Sequence, residues 1–247
     1  MKANADKCHF LCSSNNEESM TIENKKIRSS KCEKLLGVKL DSKLNFNFHI
    51  HDICQKAGQK LNAISRMTPY MDFTKRRLLV NAFFYSQFNY CQLVWMCHNR
   101  TNNNKINRLH ERCLRLIYND KKSSFEDLLE KDEAVSIHHR NLRTLAVELF
   151  KVFKGLSPLI FTEAFPVRKP SQYSMRNSSY FAMPRANTVN YGLQSLAYIG
   201  SKLWDNIPSN MKKIDSLNEF KRVIKTWKPD FCSCRLCKIY LKNIGYL

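Results

Sequence analysis

The sequence predicts a predominantly helical α+β protein: a small N-terminal antiparallel β meander, then a helical bundle, then an irregular C-terminal region. Three observations carry this expectation. Short β-like runs separated by polar turns fill the first 48 residues. From about residue 45 the apolar residues recur with the period of a helix. Only 6 glycines and 7 prolines punctuate 247 residues, which favours helix over a succession of tight hairpins.

Taken in order, residues 1–48 place strands at CHFLCS, MTIE and CEKLLGVKLD, with SSNNEES and NKK as the turns. MKANADKCHF supplies neither a cap nor a leader before the first strand, so the expectation is an element that starts upstream of Met1. The second segment, 49–166, opens with a helix whose face is marked by Phe46, Ile50, Ile53, Leu61 and Ile64, with Pro69 just beyond its end. Asp72 is placed to cap the next helix, with Leu79, Phe83 and Tyr90 expected on its core side. NRTNNNK is expected to break the chain before a third helix at about 102–118. In SSFEDLLEKD, Ser123 and Glu126 have the spacing of a capping box. Residues 136–153 form the clearest amphipathic run, with Leu142, Leu145, Leu149 and Val152 inward and Gly155 at the stop.

In the third segment, 167–247, VRKPSQYSMRNSSYFAMPRANTVNYG reads as ordered loop with short strands. SLAYIGSKLWDNIP reads as a brief helix. Ser216 and Glu219 are spaced to cap a helix at 217–227 that carries Phe220, Val223, Ile224 and Trp227. No internal repeat is visible at any period.

The formal net charge of +20 is the electrostatic footprint of a chain that holds a polyanion. Lys plus Arg against Asp plus Glu count 9 to 6 over 1–48, 13 to 4 over 49–122, 5 to 7 over 123–166 and 14 to 4 over 167–247. Two strongly basic blocks therefore flank a near-neutral one. No stretch approaches the ~20 apolar residues of a spanning helix, so no membrane partner is expected. Met1 leads into KANADKCHF rather than an apolar run, so the expectation is an intracellular chain, in cytoplasm and nucleus, whose 10 cysteines are mostly thiols.

A structural zinc site needs four Cys or His ligands, commonly as two pairs. Cys234 and Cys237 make one C-x₂-C pair and Cys232 is a third candidate. The fourth ligand then has to come from upstream, from Cys8, His9 and Cys12 or from the group Cys97, His98, His110 and Cys113. The competing reading treats these cysteines as small hydrophobes. Nucleophilic catalysis finds little support, because neither a G-x-S-x-G elbow nor a P-loop occurs. The histidines of SIHHRN read as surface residues, and the acids Glu126, Asp127, Asp132 and Glu133 as a solvated face.

The basic pattern is sharper. Lys105, Arg108, Arg112 and Arg115 recur at spacings of 3, 4 and 3, which sets them in one row on a helix. Ile106, Leu109, Cys113 and Leu116 form the adjoining apolar row, expected to pack inward. Lys75, Arg76 and Arg77 add three further cations, and only Glu111 interrupts the basic face. Such a row is suited to successive phosphates of a nucleic-acid backbone, where each neutralised phosphate releases counterions. Nothing in the sequence supports reading of base identity.

At MKANADKCHFL, CEKLLGVKLD, KRRLLVNAFFYSQFNYCQLVW, NKINRLHERCLRLIY and WKPDFCSCRLCKIYLKNIGYL the chain resembles, end to end, the carboxyl-terminal part of the reverse transcriptase of non-LTR, LINE-like retrotransposons of the jockey kind. The resemblance implies that 1–48 is a remnant of the palm, 49–166 a thumb-like domain and 167–247 a C-terminal region with a cysteine-rich tail. Asn4 to Lys7 is similar to the end of polymerase motif D, which makes Lys7 an accessory catalytic residue near the departing pyrophosphate. Leu35 to Val38 is similar to motif E, the primer grip, with Leu36 and Gly37 against the primer strand. The thumb would hold the RNA template and an RNA/DNA or DNA duplex, alongside the remainder of the retrotransposon polyprotein.

Polymerase chemistry in such a family needs carboxylates that hold two Mg²⁺ ions, from an F/Y-A-D-D strand and a second aspartate-bearing strand. Neither motif lies in these 247 residues. The expectation is therefore a fragment of an RNA-directed DNA polymerase that binds template and primer but does not catalyse alone. No cofactor is expected in this chain, with Mg²⁺ in the full polymerase and Zn²⁺ at Cys232, Cys234 and Cys237. A domesticated, non-catalytic nucleic-acid-binding module and a zinc-dependent interaction protein stay open beside it, as does inert gene debris.

Overall fold

A computed structural model describes residues 4, 7–13, 18–22, 24–97, 99–168, 179–193 and 195–227. The fold is α+β and predominantly helical, with the strands gathered at the N-terminus. The chain divides into two compact units, Met1–Cys91 with Asn104–Lys121, and Gln92–Asn103 with Lys122–Leu247.

In the first unit, β1 (Phe10–Leu11), β2 (Ser19–Ile22) and β3 (Lys25–Ser30) form a sheet of order β1-β3-β2. β2 and β3 are an antiparallel hairpin, while β1 runs parallel to β3 on its other edge. The parallel pairing is locked by the Ser30 hydroxyl, which donates to the Phe10 carbonyl at 3.2 Å. β4 (Cys32–Leu35) and β5 (Val38–Asp41) make a second antiparallel hairpin.

Asp41 turns the chain from β5 into the first helix. Its Oδ1 accepts from the amides of Lys43 and Asn45 at 3.1 and 3.0 Å, an arrangement that lets the short loop close without unsatisfied donors. Helix α1 (Asn47–Met67) follows, burying Ile50, Ile53, Ala57, Leu61 and Ile64 as the sequence period demands, and His49 with them.

α2 (Phe73–Val80) is capped by Asp72, whose carboxylate accepts from the Lys75 amide at 2.8 Å. The chain continues through a π-helical stretch, Asn81–Tyr85, into α3 (Ser86–Asn89). The core side here is Val80, Phe84, Tyr85 and Phe88, whereas Phe83 and Tyr90 are exposed and Leu79 is half-buried. The expected face is therefore out of phase by one residue, because LLVNAFFY, with Asn81 as its one strongly polar residue, offers no unique period.

The second unit begins with α4 (Gln92–Trp95), and α5 (Arg100–Tyr118) follows it in the chain. NRTNNNK does not break this helix: Asn99 accepts from the Asn102 amide at 2.9 Å, and the asparagine run forms the first turns with Asn102 and Asn103 buried. α6 (Phe125–Lys131) has a capping box at Ser124 and Asp127, one residue on from the expected Ser123 and Glu126, since both pairs have the same spacing.

α7 (Ile137–Phe153) is the centre of the second unit's core. Leu142, Leu145, Leu149 and Val152 are buried as expected, and Gly155 ends the run with φ +70°. His138 shares that face one turn earlier and is buried, so it is not the surface residue the sequence suggested. Against α7 pack α9 (Leu196–Asn206) and α11 (Leu217–Ile224), with α8 (Leu159–Ala164) and α10 (Ser209–Lys212) as short connectors. Phe150 and Phe220 stack with centroids 4.1 Å apart, and Trp204, Phe165 and Phe181 complete the aromatic cluster. Ser216 precedes α11 but accepts no capping bond through its hydroxyl, unlike the expected box. Arg143 instead secures the following turn, donating from Nε and Nη2 to the Trp227 carbonyl at 2.9 and 2.7 Å.

Candidate nucleic-acid interface

The buried face of α5 in the first unit consists of Ile106, His110, Cys113, Leu114 and Ile117. Leu109 and Leu116, expected inward, flank it half-buried, and Leu109 lies against Gly58 of α1. His110 takes its place in the core through a hydrogen bond of 2.9 Å between its Nε2 and the Tyr85 hydroxyl. At about 100° of rotation per residue, Lys105, Arg108, Arg112 and Arg115 lie on the opposite side of the helix. The sequence row is thus one physical face.

Its members differ in how they are held. Lys105 and Arg108 are exposed and have no ion pair among the described residues. Arg112, also exposed, donates from Nη2 to Oδ1 of Asn62 on α1. Arg115 is half-buried: it pairs with Glu111 at 2.6 Å and donates to the Lys121 carbonyl at 2.8 Å. Arg115 is therefore partly neutralised and fixed, and Lys105 and Arg108 are the cations most open to a backbone phosphate.

The Lys75, Arg76 and Arg77 triplet divides in the same way. Lys75 pairs with Asp72 at 3.2 Å across an exposed turn. Arg76 reaches the last turn of α5, donating from Nη1 to the Leu116 carbonyl at 3.3 Å. The Arg77 guanidinium stands 5.6 Å from the centroid of the Phe73 ring. Arg76 joins the α5 row, and Lys75 pairs within the first turn of α2.

The β4–β5 hairpin presents the second feature. Leu35 pairs with Val38, leaving Leu36 and Gly37 as a two-residue turn with φ +46° and +86°. Both signs match a type I′ turn, which follows the twist of the strands and prefers Asn-Gly. A leucine in the left-handed region costs roughly 1–2 kcal/mol, and Leu36 is 81% exposed, with Leu35 beside it at 61%. The Tyr90 hydroxyl donates to the Leu36 carbonyl at 2.6 Å and holds the turn. Its ring occupies the space beside Gly37, where an added Cβ would sit 3.4 Å away. The close approach at Gly37 is thus taken by Tyr90 of this chain.

Beneath the turn lies a cavity of about 300 Å³ lined by Lys34, Lys39, Lys56 and His49 among others. Asp52 sits in it, paired with Lys39 at 2.6 Å, and that hydrogen bond holds its carboxyl below the usual range. Burial pushes the His49 imidazole down, consistent with its Nδ1 accepting from the Lys39 amide at 3.4 Å. The floor under the hairpin is net cationic.

Lys7 is exposed in a short turn, its amide donating to the Asn4 carbonyl at 3.0 Å. Cys232, Cys234 and Cys237 lie outside the described residues, and so does His98. Of the upstream ligand candidates, His9 Nδ1 is 3.1 Å from Glu33, and the Cys12 thiol donates to Glu18 at 3.1 Å. Cys113 is a buried thiol on the α5 core face. Among the described residues no three of His, Cys, Asp or Glu gather as a metal-holding group, and no helix is long and apolar enough to cross a membrane.

Sequence reasoning missed Tyr90 as the support of the hairpin, Asn62 as the partner of Arg112, and Lys121 as the residue that Arg115 fixes. Each acts across 6 to 54 positions of chain, and no local pattern announces such pairs. In comparisons with known proteins, no family model, no curated protein and no solved structure matches this chain.

Proposed function

We propose that this chain is the carboxyl-terminal part of a non-LTR retrotransposon reverse transcriptase, comprising the end of the palm, the thumb and a cysteine-bearing tail. Its task is to hold the RNA template and the RNA/DNA or DNA duplex by the sugar–phosphate backbone. The observation that carries this reading is the row Lys105, Arg108 and Arg112, exposed on the side of α5 opposite its core face. The row from residue 105 to 112 spans about 10 Å at 1.5 Å per residue. One strand of a duplex offers a phosphate about every 3.4 Å along its axis. A row of this length therefore meets about three phosphates.

The exposed, strained Leu36 supports the same reading. A leucine is a poor choice for both a left-handed turn and a solvated tip, and such outliers persist where the site has work to do. Leu35 and Leu36 offer an apolar surface to a sugar or base at the primer end, with Tyr90 fixing the turn from behind. Lys7 is proposed as the accessory lysine of motif D. The carboxylates that bind Mg²⁺ are supplied by the rest of the polyprotein, and Zn²⁺ at Cys232, Cys234 and Cys237 belongs to the same proposal. Template and product are met in the cytoplasm and nucleus, which is the compartment proposed.

The test uses a labelled template–primer heteroduplex and the full chain. Wild type retains the duplex, and the double substitution Lys105→Glu with Arg108→Glu releases it at the same salt concentration. Retention by the folded double variant would overturn the reading, as would primer extension by the chain alone.

A further inference from the structure

The end of α5 and the turn after α1 enclose a depression of about 690 Å³ on the first unit. Four cations line it: Arg76, Arg112, Arg115 and Lys121. The rest of the lining mixes the apolar Pro69, Met71 and Leu116 with the polar Ser65, Thr68 and Asn119. No acid lines it, and Glu111, which pairs with Arg115, offsets one of the four charges.

The three arginines are held before any ligand arrives. Arg76 is bonded to the carbonyls of Asp72 and Leu116, Arg112 to Asn62, and Arg115 to Glu111 and the Lys121 carbonyl. Asn119 ends α5 with φ +51°, which turns the chain so that Lys121 comes back over the helix end. A guanidinium carries five N–H donors. These bonds use two of them on Arg76 and one on Arg112, so donors are left to converge on an anion without the cost of ordering long side chains.

The size and the three apolar residues of the lining point to the ligand class. A water occupies on the order of 30 Å³, and an inorganic phosphate is only a few times larger, so the anion alone leaves most of the depression empty. A planar base against Pro69, Met71 and Leu116 fills the rest, and Ser65, Thr68 and Asn119 in the same lining offer donors and acceptors to its edge.

We propose that this depression is a subsite for one phosphorylated nucleotide, with its terminal phosphate on Arg76, Arg112, Arg115 and Lys121 and its base against Pro69, Met71 and Leu116. The site rests on the proposed duplex reading and deepens it, because the nucleotide held at Arg112 and Arg115 lies at the end of the phosphate row that Lys105 and Arg108 continue. The nucleotide is either free or the 5′-phosphorylated end of a strand, two sources of one chemistry.

The experiment titrates the full chain calorimetrically with dAMP, inorganic phosphate and deoxyadenosine, beside Arg112→Gln and Lys121→Gln. dAMP is expected to saturate one site and to bind at least tenfold tighter than phosphate or the nucleoside. Each variant is expected to weaken dAMP at least fivefold. Lys121 is exposed, so its variant keeps the fold if Arg112→Gln does not. Displacement of dAMP by a 5′-phosphorylated strand, but not by its 5′-hydroxyl twin, assigns the site to a strand end; displacement by neither assigns it to a free nucleotide. Absence of saturable dAMP binding in a chain that still binds duplex overturns this inference alone. dAMP binding without duplex binding upholds it and overturns the thumb reading. Equal affinity for dAMP and phosphate, or no effect of either variant, also overturns it.

Discussion

Replacing Leu36 with asparagine separates stability from function at the hairpin tip. The leucine holds φ +46° and is 81% exposed, so folding gains little from its side chain. Moving a β-carbon-bearing residue out of the right-handed or extended regions costs roughly 1–2 kcal/mol, and asparagine tolerates the left-handed region best among such residues. Asn-Gly is also the preferred pair for this turn type. Leu36→Asn should therefore stabilise the folded chain by about 1 kcal/mol, a rise in Tm of about 2–4 °C for a chain of this size. The Tyr90 bond to the residue-36 carbonyl is a backbone contact and survives the change. If the leucine is kept for contact with the primer end, the same variant weakens template–primer binding while raising Tm. Thermal melts and fluorescence anisotropy on one preparation read both. A variant that melts lower, or binds unchanged, refutes the argument that strain is tolerated here for recognition.

Arg108→Gln removes one exposed cation from the α5 row and should lower the slope of log affinity against log salt by about 0.9; Arg115→Gln, already paired with Glu111, should lower it by clearly less. Both slopes come from anisotropy titrations between about 50 and 200 mM salt. The buried imidazole of His49 takes a proton less readily than in the unfolded chain; Lys39 and Lys56 reinforce that depression and Asp52 opposes it. Its contribution to stability is intact above the usual histidine value of about 6.5 and is lost as pH falls through and below it. Wild type should lose more stability than His49→Asn between pH 7.5 and about 5, read as urea midpoints. A methyl at Gly200 would collide with the ring of the buried Phe165. Gly200→Ala should therefore destabilise by about 1–2 kcal/mol after its gain in helix propensity, measured by chemical denaturation.

The long amphipathic elements were legible because one face of each is apolar and the other is not. Ile50, Ile53, Leu61 and Ile64 of α1, and Leu142, Leu145 and Leu149 of α7, could be assigned from spacing alone. The α5 cations were legible for the same reason. Spacing failed where the contrast vanished. LLVNAFFY has Asn81 as its one strongly polar residue and so no clear period, and Phe84 and Phe88 rather than Phe83 face inward through a π-helical stretch. The asparagines after Asn99 read as a break, yet Asn99 caps the helix and Asn102 and Asn103 are buried in its first turns. Ser123 and Ser124 compete for one cap with equal spacing, and only the fold decides between them. Contacts between distant segments, such as Tyr90 with Leu36 and Arg76 with Leu116, follow from tertiary packing and leave no local trace.

The central claim is that an array of fixed and exposed cations on the first unit grips a nucleic-acid duplex through its phosphates. Equilibrium binding of the full wild-type chain to an RNA/DNA heteroduplex of arbitrary sequence, followed from about 50 to 200 mM salt, tests it most directly. The account predicts affinity that falls steeply with salt and is the same for two duplexes of unrelated sequence. No binding at the lowest salt, or affinity indifferent to salt, contradicts it.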